Sequence, residues 1–223
     1  GDALVAFCSF CFVGSARLPV EYLSWYDEIF EVAKAYAATQ GYKGVRWPKM
    51  IGPDGMEAPS SVGPLLVWQQ PHPIFYAELL YRENPTQETL NRFGDLIDAT
   101  AEFMFDYAHW DASRNAMSRL RSSRREGNSG TFRENINPAF ELAYWSWGLK
   151  KANDWRERMG RERNADWDRI ADQMAPWPVV NGVYVEAESV LEKDGGHPTQ
   201  LAAYGFLPAS AYLDKEVMRK TLR

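Results

Sequence analysis

The sequence predicts an all-α protein built from antiparallel helical hairpins. Apolar residues recur at spacings of three and four over long stretches, which is the spacing of one helix face. Capping residues, prolines and glycines bound these stretches, and one break between them is short enough for a helical hairpin. We therefore expect a single domain over residues 1–223, with at most a small β element near residues 182–187.

The first predicted helix covers residues 19–40 and stops at Gly41, since glycine is favoured just after a helix. A second helix begins at Pro73 and ends at the Asn84-Pro85 break. Thr86 caps a third helix, and the short break makes the second and third helices a hairpin. The apolar stripe of the third helix contains Leu90, Phe93, Ile97, Ala101, Met104 and Phe105.

The second half of the chain continues the helical pattern. Asn137-Pro138 opens a fourth helix with Phe140, Ala143, Tyr144, Trp147 and Ala152 inward, and it stops at Gly160. Asn164 caps a fifth helix, and shorter helices are predicted over residues 199–206 and 214–222. Long loops are predicted over residues 41–70, 111–137 and 175–198, and loops of such length inside a compact domain are usually functional.

Composition excludes several classes of partner. The chain carries a formal charge of −5 and a pI near 5.3, so we expect neither nucleic acid nor an anionic membrane as a partner. The basic run at residues 119–125 lacks interleaved aromatic residues and is interpreted as a disordered, solvated loop. The apolar run at residues 3–13 is far shorter than the ~20 residues that a membrane span needs, although it could be a signal-peptide core. The cellular compartment stays open.

The two cysteines, Cys8 and Cys11, are spaced C-x-x-C. This spacing could be half of a zinc site or a redox pair, but no second pair or histidine pair follows it. Buried, unreactive thiols are the favoured interpretation. No metal and no organic cofactor are expected.

Residues 44–81 contain the strongest functional signal. Two tryptophans, paired glutamines, a histidine and several prolines stand together just before and within the start of a helix. Polyhydroxylated rings call for this mixture, because flat apolar faces contact their C–H groups and directional polar groups bind their hydroxyls. The segment therefore predicts a carbohydrate site.

Several motifs also resemble a known family. They read G-x-R-W-P-x-M-x-G-P-D-G-x-E, G-P-L-L-x-W-Q-Q-P-H-P-I, A-E-F-M, N-P-x-F-E-L-A-Y-W and W-R-E-R-x-G, at residues 44–57, 63–74, 101–104, 137–145 and 155–160. In this order they resemble the six-hairpin, (α/α)6-barrel glycosidases related to maltose and kojibiose phosphorylases. The resemblance covers about residues 22–222 without 111–135, so it implies the central part of an (α/α)6 toroid.

The resemblance implies a glycoside hydrolase, acting with inversion on an α-glucoside or a related glycan. Glu126 is the only residue that stands where relatives carry the general acid, but the residues before it do not match, and a solvated residue of a charged loop is the favoured alternative. Residues 1–18 and 112–135 match poorly, and we hypothesise that parts of both arise from out-of-frame translation. A non-catalytic carbohydrate-binding fragment is the alternative, and a sugar epimerase or a disaccharide phosphorylase is less favoured.

The remaining candidates are interpreted as substrate-binding residues, and some of them also have a purely structural interpretation. Trp47 and Trp68 could stack on sugar or fill the core, and Glu141 could contact sugar or complement a helix dipole. Glu57 is interpreted as a ligand contact within a turn-rich segment. The other candidates, favoured by the resemblance or by their chemistry, are Arg46, Gln69, Gln70 and His72. Because apolar faces of an incomplete barrel would be exposed, self-association is also expected.

Overall fold

The computed structural model describes residues 17–60, 63, 66–111, 116–117, 121–126, 131–189, 199–205, 207–208 and 213–223. Within these ranges the protein is mostly helical with small β hairpins, and this confirms the predicted class. The helices are α1 Arg17–Glu28, α2 Phe30–Thr39, α3 His72–Glu83, α4 Gln87–Tyr107, α5 Ala139–Arg158, α6 Ala165–Asp172, α7 Thr199–Gly205 and α8 Lys215–Thr221. Cys8, Cys11 and the first residues of the chain lie outside the described ranges.

The helix ends follow the sequence signals closely. The Thr86 hydroxyl accepts a hydrogen bond from the amide of Thr89, and Asn164 accepts from the amides of Asp166 and Trp167. Gly41 and Gly160 adopt φ angles of 82° and 72° just after α2 and α5, as their stop signals predict. The prediction of one helix over residues 19–40 was wrong in one respect, because α1 and α2 are separated at Ile29.

Helix α5 lies at the centre of the packing. It contacts α3, α4, α6 and α7, while α3 also packs against α1 and α4. For this reason α5 is buried on nearly all sides, whereas the sequence predicted a single inward face. Trp145 and Trp155 on α5 are fully buried, and the indole N–H of Trp145 donates to the carbonyl of Val67 at 3.2 Å.

The β structure is larger than predicted. Strands β1 Trp110–Asp111 and β2 Ala116–Met117 form one antiparallel pair, and β3 Arg121–Glu126 pairs with β4 Thr131–Ile136. A third pair joins β5 Val179–Val180 to β6 Val183–Tyr184 through Asn181 and Gly182, both at positive φ. This third pair is the small β element expected near residues 182–187.

Residues 119–125 were expected in a disordered loop, and that prediction was wrong for residues 121–125, which belong to β3. The strand is almost entirely polar, so it lacks the alternation of apolar and polar residues that signals a half-buried strand. The G-N-S-G sequence at residues 127–130 was the available signal, because such residues typically separate the strands of a hairpin.

A buried glutamate joins α3 to α5. The Glu78 side chain is only 3% exposed, and its Oε2 accepts from the Trp155 indole at 3.0 Å and the Arg158 guanidinium at 2.6 Å. Its Oε1 accepts from Arg82 at 3.0 Å. Burial alone would raise the pKa of Glu78, but the hydrogen bonds from Arg158, Trp155 and Arg82 outweigh it and lower this pKa.

Glu78→Gln is expected to lower the free energy of unfolding by about 2 kcal/mol, because an uncharged amide cannot accept all three hydrogen bonds. Urea unfolding at pH 7 measures the change. Glu83→Gln on the same helix is the control, since Glu83 is exposed. Equal midpoints for the two variants would contradict the assigned role of Glu78.

Large exposed hydrophobic side chains are few in the described ranges: Met50, Met56, Val179, Tyr204 and Leu222. Met50 and Met56 share one loop, and the other three belong to separate segments of the chain. Self-association through open barrel faces therefore stays a prediction, and none of these side chains by itself identifies such a face. No helix in the described part of the chain is both long and apolar enough to cross a bilayer.

Candidate functional site

An aromatic cavity of about 640 Å³ lies between α1, the segment after Gly44 and the start of α3. This volume is typical of small-molecule sites. Its lining includes Trp47, Trp68, Gln69 and His72, so the fold brings four of the predicted site residues together. The remaining lining residues are Trp25, Tyr26, Pro48, Lys49, Met50, Ile51, Gly52, Pro53 and Tyr76.

The paired glutamines hold the segment that forms one wall of the cavity. Gln70 donates to the Val45 carbonyl at 2.6 Å and accepts from the Trp47 amide at 3.0 Å. Its side chain therefore pairs with the backbone as a neighbouring strand would. Gln69 donates to the Trp47 carbonyl at 2.9 Å and to the Leu66 carbonyl at 3.0 Å. Gln70 does not line the cavity, and its observed contacts are structural.

Gln69 also presents an unused acceptor. Both of its amide donors are occupied by carbonyls, while its Oε1 is buried and has no hydrogen-bond partner among the described residues. A buried polar atom without a partner costs free energy, so such atoms call for an explanation. Because the oxygen has almost no accessible surface, a hydroxyl of a bound ligand could satisfy it only after a shift of the Gln69 side chain or its neighbours.

His72 contributes a neutral imidazole at the start of α3. Burial lowers its pKa from 6.5 to about 3, so the ring is uncharged near neutral pH. Its Nδ1 lies 3.0 Å from the Tyr144 hydroxyl on α5, and either atom can be the donor. The ring also packs edge-on against Trp68, with centroids 5.4 Å apart. A neutral histidine suits hydrogen bonding to a hydroxyl but not charge stabilisation.

The tryptophans of the cavity differ in burial. Trp47 is 2% exposed, and its indole donates to the Thr100 hydroxyl at 3.1 Å, so much of it belongs to the core. Tyr26 packs edge-on against Trp47 with centroids 4.9 Å apart. Trp25 and Trp68 are half-buried and keep part of their surface accessible. These two indoles are therefore the better platforms for stacking.

Nine lining residues were not predicted as site residues, and two of them, Trp25 and Tyr26, lie outside residues 44–81 altogether. Tyr26 belonged to the predicted apolar stripe and was assigned to the core. Trp25 could have been recognised from the sequence. It lies off the apolar stripe of its amphipathic helix, so core packing does not explain a large aromatic residue at that position.

Arg46 and Glu57 do not line the cavity, although both were interpreted as site residues. Arg46 is buried, donates to Gln40 and lies 5.7 Å from the centre of the Tyr36 ring. Tyr36 donates its hydroxyl to Glu57, which is bridged to Ile51 across the loop that walls the cavity. The contacts of both residues thus tie this loop to α2.

Glu141 lies in the first turn of α5, outside the cavity lining. It is 6% exposed, and burial raises its pKa from 4.5 to about 7, helped by the nearby charge of Glu186. A carboxyl that is half protonated at neutral pH can donate or accept a proton there. Tyr144, the partner of His72, lies one helical turn further along α5.

Glu126, the predicted general acid, ends β3 opposite Thr131. Its side chain lies outside what the structure describes. Among the described residues no carboxylate lines the cavity, and none of their His, Cys, Asp and Glu side chains form a group suited to a metal ion.

Comparison with known proteins adds no assignment. No protein-family model matches the chain, and no curated protein matches it.

Proposed function

We propose that the aromatic cavity binds a saccharide, and that the chain is part of a glycoside hydrolase domain acting on an α-linked glucoside or related glycan. One observation supports this most strongly: half-buried Trp25 and Trp68 share a cavity with Gln69, whose Oε1 has no hydrogen-bond partner among the described residues. Indole faces can contact the C–H groups of a sugar ring, while Gln69 and neutral His72 can bind its hydroxyls.

The proposed catalytic group is Glu126, which would protonate the departing glycosidic oxygen while water attacks with inversion. This role rests on the family resemblance. A non-catalytic carbohydrate-binding module is the second candidate, favoured by the lack of a carboxylate among the described lining residues.

Trp68→Leu is expected to weaken binding of glucose, maltose or kojibiose at least about tenfold, because leucine lacks a flat face for the sugar ring. Isothermal titration calorimetry on the whole chain measures the change. Trp147→Leu is the matched control, since Trp147 is also half-buried but lies outside the cavity lining. Absence of binding by the unchanged protein, or equal weakening in the two variants, would count against the cavity as a sugar site.

Turnover separates the two candidates. Hydrolysis of 4-nitrophenyl α-glucoside or a disaccharide that disappears in Glu126→Gln supports the hydrolase. Sugar binding with no turnover supports the binding module. Isomerised monosaccharide without release of glucose would instead indicate an epimerase, and phosphate-dependent release of glucose 1-phosphate a phosphorylase.

A further inference from the structure

The cavity has a closed polar end and an open apolar end. Gln69, His72 and Tyr76 are 7%, 6% and 1% exposed, so they lie deep in the protein. Met50 is 46% exposed and Pro53 is exposed as well, so the loop that carries them forms the outer end. Both ends belong to one cavity.

At the outer end the loop backbone is held in place, while an exposed side chain on it can change conformation. The amide of Gly52 donates to the Met56 carbonyl at 2.8 Å, and the amide of Ala58 donates to the Met50 carbonyl at 2.8 Å. Gly55 packs against Ile29, where an added Cβ would lie 2.8 Å from the Ile29 Cβ. These contacts fix the loop backbone, while the unbranched, polarisable Met50 side chain can adjust to different apolar shapes.

The chemistry of this outer end is mainly apolar. Its side chains come from Met50, Ile51 and Pro53, and the half-buried Trp25 also lines the cavity. Lys49 is the only charged residue among the described lining residues, and its exposed side chain can keep its ammonium in water while its methylenes add apolar surface. A free sugar would leave this surface uncovered, because its hydroxyls match only the inner end.

We propose that the outer end is an aglycone subsite, and that the ligand is a glycoside whose sugar carries an apolar alkyl or aryl group. This inference rests on the proposed sugar binding at the inner end. The sugar would occupy the end with Gln69 and His72, and the apolar group would contact Met50, Ile51 and Pro53. Burying that group removes apolar surface of both molecules from water, so it strengthens binding.

Calorimetry with methyl and octyl α-D-glucopyranoside tests the proposal, with the octyl compound kept below its micelle-forming concentration. We expect octyl glucoside to bind the whole chain at least about tenfold more tightly than methyl glucoside, because the octyl chain buries several more methylene groups. Met50→Gln is expected to reduce this ratio to about threefold or less, because a polar amide replaces apolar surface that the octyl chain would cover.

Met56→Gln is the matched control. Met56 belongs to the same loop and is 59% exposed, but it does not line the cavity, so its replacement should leave the ratio intact. Equal binding of the two glucosides, or an equal loss in both variants, overturns the aglycone subsite and leaves the sugar site standing. Failure of both glucosides to bind, or binding of 1-octanol as tight as that of octyl glucoside, overturns the proposed function together with the subsite.

Discussion

Gly44→Ala is expected to lower the free energy of unfolding by about 4 kcal/mol. Gly44 has a φ of 70°, a region that costs other residues roughly 1–2 kcal/mol. A Cβ there would also lie 2.2 Å from the Ala99 carbonyl oxygen and 2.5 Å from the Phe103 amide nitrogen. Because both atoms belong to the backbone of α4, they cannot rotate away, and forced overpacking of this kind costs a further ~1–3 kcal/mol.

Gly160→Ala separates the cost of the positive φ from the cost of steric overlap with the backbone of α4. Gly160 has a nearly identical φ of 72°, but no atom lies within 4 Å of the position that a Cβ would take. This variant should lose only about 1 kcal/mol, and urea unfolding of both proteins measures the difference. Losses of equal size would show that close approach to α4 is unimportant. Gly44→Ala should also weaken the proposed sugar binding, because it displaces the segment that holds Trp47 in the cavity wall.

The second large effect is a pH-dependent stability that Glu141 controls. In the folded protein its pKa is about 7, against 4.5 as the ordinary value. Between these two pH values the folded state retains a proton that the unfolded state has lost. Stability therefore falls as pH rises from about 4.5 to about 7 and then levels off. This difference between the two pKa values of Glu141 corresponds to a change of about 3 kcal/mol in the free energy of unfolding.

Glu141→Gln removes this titration, so the variant should gain about 3 kcal/mol relative to the unchanged protein between pH 4.5 and pH 7.5. Thermal or urea unfolding across that range measures the gain. Glu88→Gln is the control, because Glu88 also occupies the first turn of a helix, α4, but is exposed. Parallel stability profiles for the Glu141 variant and the unchanged protein would contradict the raised pKa. Glu78 has a lowered pKa, so the stability that it contributes is present at neutral pH and is lost as the pH falls below the ordinary value of 4.5 and the carboxylate takes up a proton.

Local signals predicted the helices well because they act within a few residues of chain. The Thr86 and Asn164 caps and the Gly41 and Gly160 stops appear in the structure as the sequence predicts. The predicted stripe of α4 is buried except for Phe105, which is half-buried. The β3–β4 hairpin was missed because β3 is polar and its pairing with β4 depends on backbone hydrogen bonds, which leave no pattern of apolar residues.

The candidate site was predicted in part. The segment around Trp47, Trp68, Gln69 and His72 was found from its composition, and the fold places all four at one cavity. Composition could not tell that Gln70 faces the backbone of Val45 and Trp47, although it is adjacent to Gln69. Composition also could not reveal that Trp25, which lies on α1, lines the same cavity.

Spacing and residue type thus specify which segments are helical and which one is rich in aromatic and hydrogen-bonding side chains, since both properties depend on neighbours along the chain. The direction of each side chain depends on contacts between segments far apart in sequence. Tyr144 meets His72 only because α5 packs against α3. The Gln69 amide is oriented by the carbonyls of Trp47 and Leu66, which accept from its Nε2, and its Oε1 has no partner among the described residues. Packing between distant elements therefore separates the residues that face the cavity from those that support it.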